Sequence, residues 1–182
     1  MRKISWSTII GNETPVFGAG QKATPNKLVL VIDDSITVRK IVETCLRREG
    51  FEVISFTDGI EALLWLTSPR GRLPGLIFLD ITMPRMDGYE VARYLKASLH
   101  MRETVIVMLT QRDGVIDRIK SRLAGAADHL IKPFQTQQLL RVVASHLGIP
   151  QTEDGTPQKI VWQKGIVSTK KEEDKEQKNS PS

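Results

Sequence analysis

Three aspartates stand where apolar stretches of the chain stop. Asp33 and Asp34 end the run KLVLVIDD, and Asp80 ends GLIFLD. Clustered carboxylates repel one another, so a cation is needed to hold them together. Mg²⁺ takes one or two carboxylates, keeps several waters and leaves room for phosphate oxygens. A carboxylate beside such a cation could attack phosphorus and form an aspartyl phosphate.

Two later apolar runs end in further candidates, Thr110 after TVIVML and Lys132 after DHLI. The ammonium group could pair with Asp80 or with an incoming phosphoryl group, and the hydroxyl could donate a hydrogen bond to the same oxygens. Each residue alone has an ordinary explanation, such as a helix cap for the aspartate pair or a β-branched strand residue for Thr110. Their shared position at the ends of different runs favours one common site.

The elements that would position these residues alternate regularly along the chain. Apolar runs predict strands at 27–34, 51–56, 75–80, 104–110 and 128–132, and helical spacing predicts helices at 36–50, 59–69, 88–98, 115–126 and 136–148. Such alternation predicts a doubly wound α/β fold, in which helices cover both faces of a parallel sheet. Ligands bind such sheets at the carboxyl ends of the strands, where all five candidates fall.

The chain divides into three parts. Residues 1–26 are rich in Gly, Thr, Asn and Pro and are predicted to be a flexible N-terminal arm. Residues 27–148 form the folded domain. Residues 149–182 are a C-terminal extension of mixed charge, predicted to be largely disordered. Within the extension, KIVWQKGIV (159–167) indicates a short strand or a docking segment.

Composition restricts the function classes. Of the 182 residues, 40% are apolar and 26% are charged, as in ordinary globular proteins. The net charge is +5, but residues 27–148 carry only +3 and no run of Lys and Arg suits a phosphate backbone, which disfavours nucleic acid as a partner. No stretch has the length of a membrane span and no signal peptide is evident, so we expect a cytoplasmic protein. The single cysteine, Cys45, is predicted to be a core residue.

Residues 27–148 resemble the receiver domain of two-component response regulators, the CheY-like fold. The resemblance is carried by VIDDS (31–35), LDITMPRMDG (79–88), MLT (108–110) and IKPF (131–134), in order and at family-like spacing. It implies a flavodoxin-like, five-stranded sheet of order 2-1-3-4-5. It also implies phosphorelay signalling, in which a histidine kinase or phosphotransfer protein supplies the phosphoryl group and a downstream effector protein reads the changed contacts.

Metal and phosphoacceptor roles follow from the resemblance. Asp80 would be the phosphoacceptor. Mg²⁺ would be held by Asp34, Asp80 and the backbone carbonyl of Thr82, with Asp33 helping through water. Thr82 and Arg112 occupy variable positions that would tune how fast the aspartyl phosphate is hydrolysed.

Catalytic and switch roles follow in the same way. Thr110 and Lys132 would contact the phosphoryl group, and the Lys132–Pro133 peptide bond is expected to be cis. His129 stands where family members often have an aromatic residue that turns inward as the threonine moves. Two interpretations of His129 stay open: a switch rotor acting with Thr110, or a simple exposed strand residue.

Three functions compete. The first is a signalling regulator that is phosphorylated once, dephosphorylates itself slowly, has no other enzymatic activity and could dimerise when phosphorylated. The second is a transcription regulator with a non-standard output segment, which is disfavoured because only 34 residues follow Gly148, without a helix-turn-helix pattern. The third is an aspartyl-phosphate hydrolase, but hydrolases of the haloacid-dehalogenase type carry D-x-D after the first strand, whereas this chain has adjacent Asp33 and Asp34. The sequence favours the regulator.

Overall fold

The computed structural model describes residues 26–111, 114–149, 151, 160–163 and 166–169. Five parallel strands form one sheet in the order β2-β1-β3-β4-β5. The strands are β1 (Leu28–Ile32), β2 (Glu52–Phe56), β3 (Leu76–Asp80), β4 (Val105–Thr110) and β5 (Asp128–Ile131). The helices are α1 (Ile36–Arg48), α2 (Gly59–Thr67), α3 (Gly88–Ala97), α4 (Val115–Leu123) and α5 (Thr136–Leu147). The predicted doubly wound fold with strand order 2-1-3-4-5 is confirmed.

The hydrophobic core lies in two layers, one on each face of the sheet. Every residue of β1 and β3 is buried, as expected for central strands that are covered on both faces. Leu46 of α1 and Leu139 of α5 belong to the layer on one face, and Val91 and Leu95 of α3 belong to the layer on the other. Cys45 is buried in the first layer, and burial raises the pKa of its thiol to about 11.

Three helices begin at capped residues shortly after a strand ends. The hydroxyl of Ser35 caps α1 and the carboxylate of Asp58 caps α2, each accepting the backbone N–H three residues further on. Asp87 and Glu90 form a reciprocal capping box at the start of α3. Short capped connections therefore keep the residues that follow these strands at one edge of the sheet.

The strand ends differ slightly from the sequence prediction. β1 ends at Ile32, so Asp33 and Asp34 lie in the loop behind the strand, and the cap of α1 is Ser35. β5 ends at Ile131, which places Lys132 just beyond it. The loop residues are still at the carboxyl edge, because each directly follows its strand.

Helix α4 is weakly packed and shorter than predicted. Ser121 is its buried residue, whereas its exposed apolar residues are Val115, Ile116, Ile119 and Leu123. It ends at Leu123 because Gly125 adopts a left-handed conformation, with φ 91°, which terminates helices.

Beyond α5, the strands β6 (Ile160–Gln163) and β7 (Ile166–Thr169) pair antiparallel. The sequence indicated a short strand or a docking segment at 159–167, and the structure has two short strands there, separated by two positions of the chain. The predicted flexible arm and disordered extension fall largely outside the described residues and stay predictions.

No helix in the described ranges combines the length and apolarity needed to cross a lipid bilayer.

Candidate functional site

Three carboxylates meet at the carboxyl edge of the sheet. Asp33, Asp34 and Asp80 each contribute one oxygen to a group whose members lie within 4.8 Å of one another. Asp33 and Asp80 are buried, at 0% and 4% exposure, whereas Asp34 is exposed. The cluster predicted from the sequence therefore exists in the fold, sheltered on one side and open to solvent on the other.

Lys132 joins two members of this cluster. Its Nζ lies 2.6 Å from Oδ2 of Asp33 and 2.8 Å from Oδ1 of Asp80. It donates a hydrogen bond to Asp80 and forms an ion pair with Asp33. The lysine side chain is only 11% exposed, so water screens these charges much less than at the surface. Lys132 thus offsets much of the repulsion between the carboxylates.

Burial and charge tune the reactive groups. Burial raises the pKa of the Asp80 carboxyl above its usual value, the charges of Asp33 and Asp34 act in the same direction, and Lys132 opposes them. Burial alone would lower the pKa of Lys132, but its contacts with Asp33 and Asp80 outweigh burial and the net direction is upward. Asp80 is therefore more basic than an ordinary aspartate, while Lys132 keeps its positive charge.

The donor set fits a hard divalent cation. Oδ1 of Asp33 accepts the backbone N–H of Ser35 at 2.9 Å, and Oδ2 lies buried against Nζ of Lys132 at 2.6 Å. One ammonium group thus faces three carboxyl groups, and a divalent cation would offset the negative charge that remains. The oxygens of Asp33, Asp34 and Asp80 lie close together, and oxygen ligands are what Mg²⁺ prefers.

Arg39 fixes the loop that carries the aspartate pair. Its Nη1 donates hydrogen bonds to the backbone carbonyls of Asp33 at 2.6 Å and of Asp34 at 3.1 Å. The sequence analysis missed this role, because an arginine on the first turns of an amphipathic helix has the same spacing as a solvated one. In the sequence, the one indication of this role is that Arg39 closely follows the aspartate pair, whose loop a nearby cation could bind.

The remaining predicted residues lie around the cluster. Thr110 is buried at the end of β4, and its backbone carbonyl accepts the N–H of Lys132 at 2.7 Å. The Lys132–Pro133 peptide bond is cis. Thr82 is exposed and lies two residues beyond the end of β3. Arg112 falls outside the described residues.

His129 lies on edge strand β5 and is half-buried, with 28% of its side chain exposed. The side chain of Leu130 enters the core layer beneath α1 and α5, so that of His129 points to the opposite face. Its Nδ1 is 3.9 Å from Oδ1 of Asp128, whose Oδ2 lies 3.1 Å from Nε2 of His146. The ring is thus neither fully exposed nor core, and its switch role stays a prediction.

Gly88 brings the start of α3 directly against the backbone of Asp80. Its N–H donates to the carbonyl of Ile81 at 3.0 Å. A Cβ atom at Gly88 would lie 2.2 Å from the carbonyl oxygen of Asp80, far inside van der Waals contact. Position 88 therefore requires glycine, because the backbone there lies directly against the backbone of Asp80.

We expect Gly88→Ala to shift the backbone of Asp80, lowering the free energy of unfolding by about 2 kcal/mol, a typical overpacking penalty. Chemical denaturation measures this loss. Gly114→Ala is the matched control, since its Cβ would meet only the flexible carboxylate of Asp117, at 3.1 Å. Equal losses in both variants would contradict this explanation.

The fold and the acidic site together define a class of protein. Residues 29–144 match the family described as response regulator receiver domain, and this match covers more than half of the chain. The chain belongs to the response regulator receiver domain family. The receiver class inferred from the sequence is confirmed, and with it a role in two-component phosphorelay signalling.

Individual relatives support the same class. The chain is 39% identical to the protein PilG of Pseudomonas aeruginosa over 119 residues, which cover 65% of this chain and 86% of PilG. The solved structure of the chemotaxis protein CheY4 of Vibrio cholerae is 32% identical in sequence to this chain, with a TM-score of 0.61. The aligned region covers 66% of this chain and 98% of the CheY4 chain. The chain spans about half the length of several probable transcriptional regulators that it also matches.

Receiver domains bind magnesium, and one similar structure shows this directly. The receiver domain of the sensor histidine kinase PA1611 from Pseudomonas aeruginosa was solved with a magnesium ion coordinated in its active site cleft. It is 28% identical to this chain, with a TM-score of 0.61. The aligned region covers 68% of this chain and 98% of the PA1611 receiver chain.

Proposed function

We propose that this protein is a phosphorelay receiver that accepts a phosphoryl group on Asp80, in a reaction that depends on Mg²⁺, from a phosphohistidine of a kinase or phosphotransfer protein. The observation that carries the proposal is the cluster in which Lys132 bridges Asp33 and Asp80 beside the exposed Asp34. This site brings together a nucleophilic carboxylate, the ammonium group of Lys132 and carboxylate oxygens that can bind a metal ion. The proposed location of the reaction is the cytoplasm, where phosphohistidine donors act.

In the reaction, the carboxylate of Asp80 attacks phosphorus while the bond from phosphorus to the donor histidine breaks. Asp33, Asp34, Asp80 and the carbonyl of Thr82 would hold the metal, which when bound offsets the negative charge of the phosphoryl oxygens. Lys132 transfers its hydrogen bond from Asp80 to a phosphoryl oxygen.

The switch residues then respond to the new group. The hydroxyl of Thr110 donates to a second phosphoryl oxygen and moves toward it. His129, on the strand that pairs with β4, follows this movement in the proposed switch. The ring resonances of the three histidines test this idea. With a beryllofluoride mimic of the phosphoryl group we expect the His129 signals to move and those of exposed His100 to stay.

Output is proposed to pass through α4. Its exposed apolar side chains, Val115, Ile116, Ile119 and Leu123, alternate with Arg118, Lys120 and Arg122. An effector with acidic and apolar groups would complement this surface, and a second phosphorylated copy of the chain could pair there. Because α4 buries few of its side chains, little packing opposes its movement.

The direct test is the intact mass of the protein after incubation with a small acyl phosphate and Mg²⁺. We expect one added phosphoryl group per chain, and none when EDTA removes the metal. Release of phosphate should stay close to the slow decay of that single group. Continuous turnover of a small phosphate ester would instead indicate the hydrolase, and an unchanged mass under all conditions would contradict the proposal.

A further inference from the structure

The loop that follows the proposed phosphoacceptor contains an unusual backbone conformation. Arg85 has φ 70° and is the one non-glycine residue with a positive φ among those the structure describes. A residue with a Cβ atom is disfavoured in this region, so neighbouring interactions must hold it there.

The side chain of Arg85 supplies such an interaction. Its Nη2 pairs with Oδ2 of Asp58, the residue that caps α2. The other carboxylate oxygen of Asp58 accepts the N–H of Glu61 at 3.0 Å, and only 9% of the Asp58 side chain is exposed. The bond from Glu61 lowers the pKa of Asp58, and Arg85 acts in the same direction. Arg85 is thus tied to a charged acceptor held rigidly by a helix.

Both ends of the same loop are also fixed. The N–H of Ile81 donates to the carbonyl of Leu109 at 3.1 Å, and the N–H of Gly88 donates to the carbonyl of Ile81 at 3.0 Å. Thr82 lies between this anchored start and Arg85. The short backbone segment that contains Thr82 is therefore held at Ile81 on one side and at Arg85 on the other.

We propose that Arg85 is a positioning residue, whose tie to Asp58 holds the backbone carbonyl of Thr82 at the acidic cluster, ready to bind a divalent cation. The inference rests on the proposed function, because it takes the carbonyl of Thr82 as a metal ligand. Without the tie, the loop must reorganise whenever the metal binds, and affinity falls. Neither residue touches the reacting atoms.

Arg85→Gly separates positioning from folding. Glycine adopts a positive φ freely, so the variant loses the ion pair without acquiring backbone strain. We expect its affinity for Mg²⁺ to fall about tenfold, as is typical when an outer partner of a metal ligand is removed. Calorimetric titration of the unphosphorylated protein measures the affinity. The melting temperature in EDTA should be unchanged or higher.

Companion variants sharpen the test. Asp58→Asn keeps an oxygen that can cap α2 but removes the charge that Arg85 needs, so it should reproduce the loss of affinity. Arg85→Lys keeps a cation and should recover part of it. Arg93→Ala, an exposed arginine on α3, is the control and should bind Mg²⁺ as the native protein does.

The outcomes distinguish the possible failures. Native or increased affinity in Arg85→Gly would overturn the positioning role and leave the receiver proposal intact. A markedly lower melting temperature of Arg85→Gly in EDTA would also overturn it, because the loss of affinity would then reflect a destabilised fold. Absence of Mg²⁺ binding by the native protein would overturn the metal-dependent function itself.

Discussion

Asp80→Asn should abolish phosphorylation of the protein by an acyl phosphate. The amide keeps the shape of the side chain but lacks the negative oxygen that attacks phosphorus. The added mass of one phosphoryl group, expected for the native protein with Mg²⁺, should fall below detection. Asp117→Asn on α4 is the matched control and should be phosphorylated as fast as the native protein. Persistent labelling of Asp80→Asn would mean that another group is the acceptor.

The pH dependence of folding stability should also differ between Asp80→Asn and the native protein. Burial raises the pKa of Asp80 in the folded state, so the folded protein favours the protonated carboxyl more than the unfolded chain does. Stability contributed by this group is present below the unfolded pKa and is lost as the pH rises through the folded pKa. In EDTA, the stability of the native protein relative to that of Asp80→Asn should therefore fall from acid to neutral pH. Denaturant midpoints across this range give the comparison.

The architecture could be predicted from sequence because its cause is local and repeated. The run GLIFL that precedes Asp80 is apolar throughout, which is typical of a strand covered on both faces, and β3 is indeed buried along its whole length. Five such runs alternate with helical patterns, and chirality leaves few ways to arrange them. The strand boundaries were less accurate, since Asp33 and Lys132 lie just outside the strands to which they were assigned.

The members of the site could be predicted, but their supports could not. Asp80 and Lys132 are 52 residues apart, and strand order alone brings them to one edge. By contrast, Arg39 contacts backbone carbonyls, Arg85 pairs with the helix cap Asp58, and Gly88 permits a close approach of two backbone segments. Their sequence context is that of ordinary helix-surface arginines and turn residues. Such contacts depend on how loops cross one another in space, which periodicity does not encode.

Lys132→Met should cause the largest loss of stability at the site. The lysine offsets the charges of Asp33 and Asp80, which are 0% and 4% exposed. Removing one partner of a buried ion pair leaves an uncompensated buried charge, which typically costs 3–5 kcal/mol, so we expect about 3 kcal/mol at neutral pH in EDTA. Methionine fills a similar volume, so packing contributes little to the loss. Urea denaturation measures it.

Conditions that reduce the negative charge of the cluster should rescue this variant. Lowering the pH protonates Asp80, whose pKa burial raises, and should narrow the deficit. Mg²⁺ should stabilise Lys132→Met more than the native protein, because the cation replaces the missing positive charge. Lys120→Met on exposed α4 is the control and should change stability by less than about 0.5 kcal/mol. A deficit that neither acid nor Mg²⁺ reduces would show that Lys132 stabilises the fold by packing and not by charge.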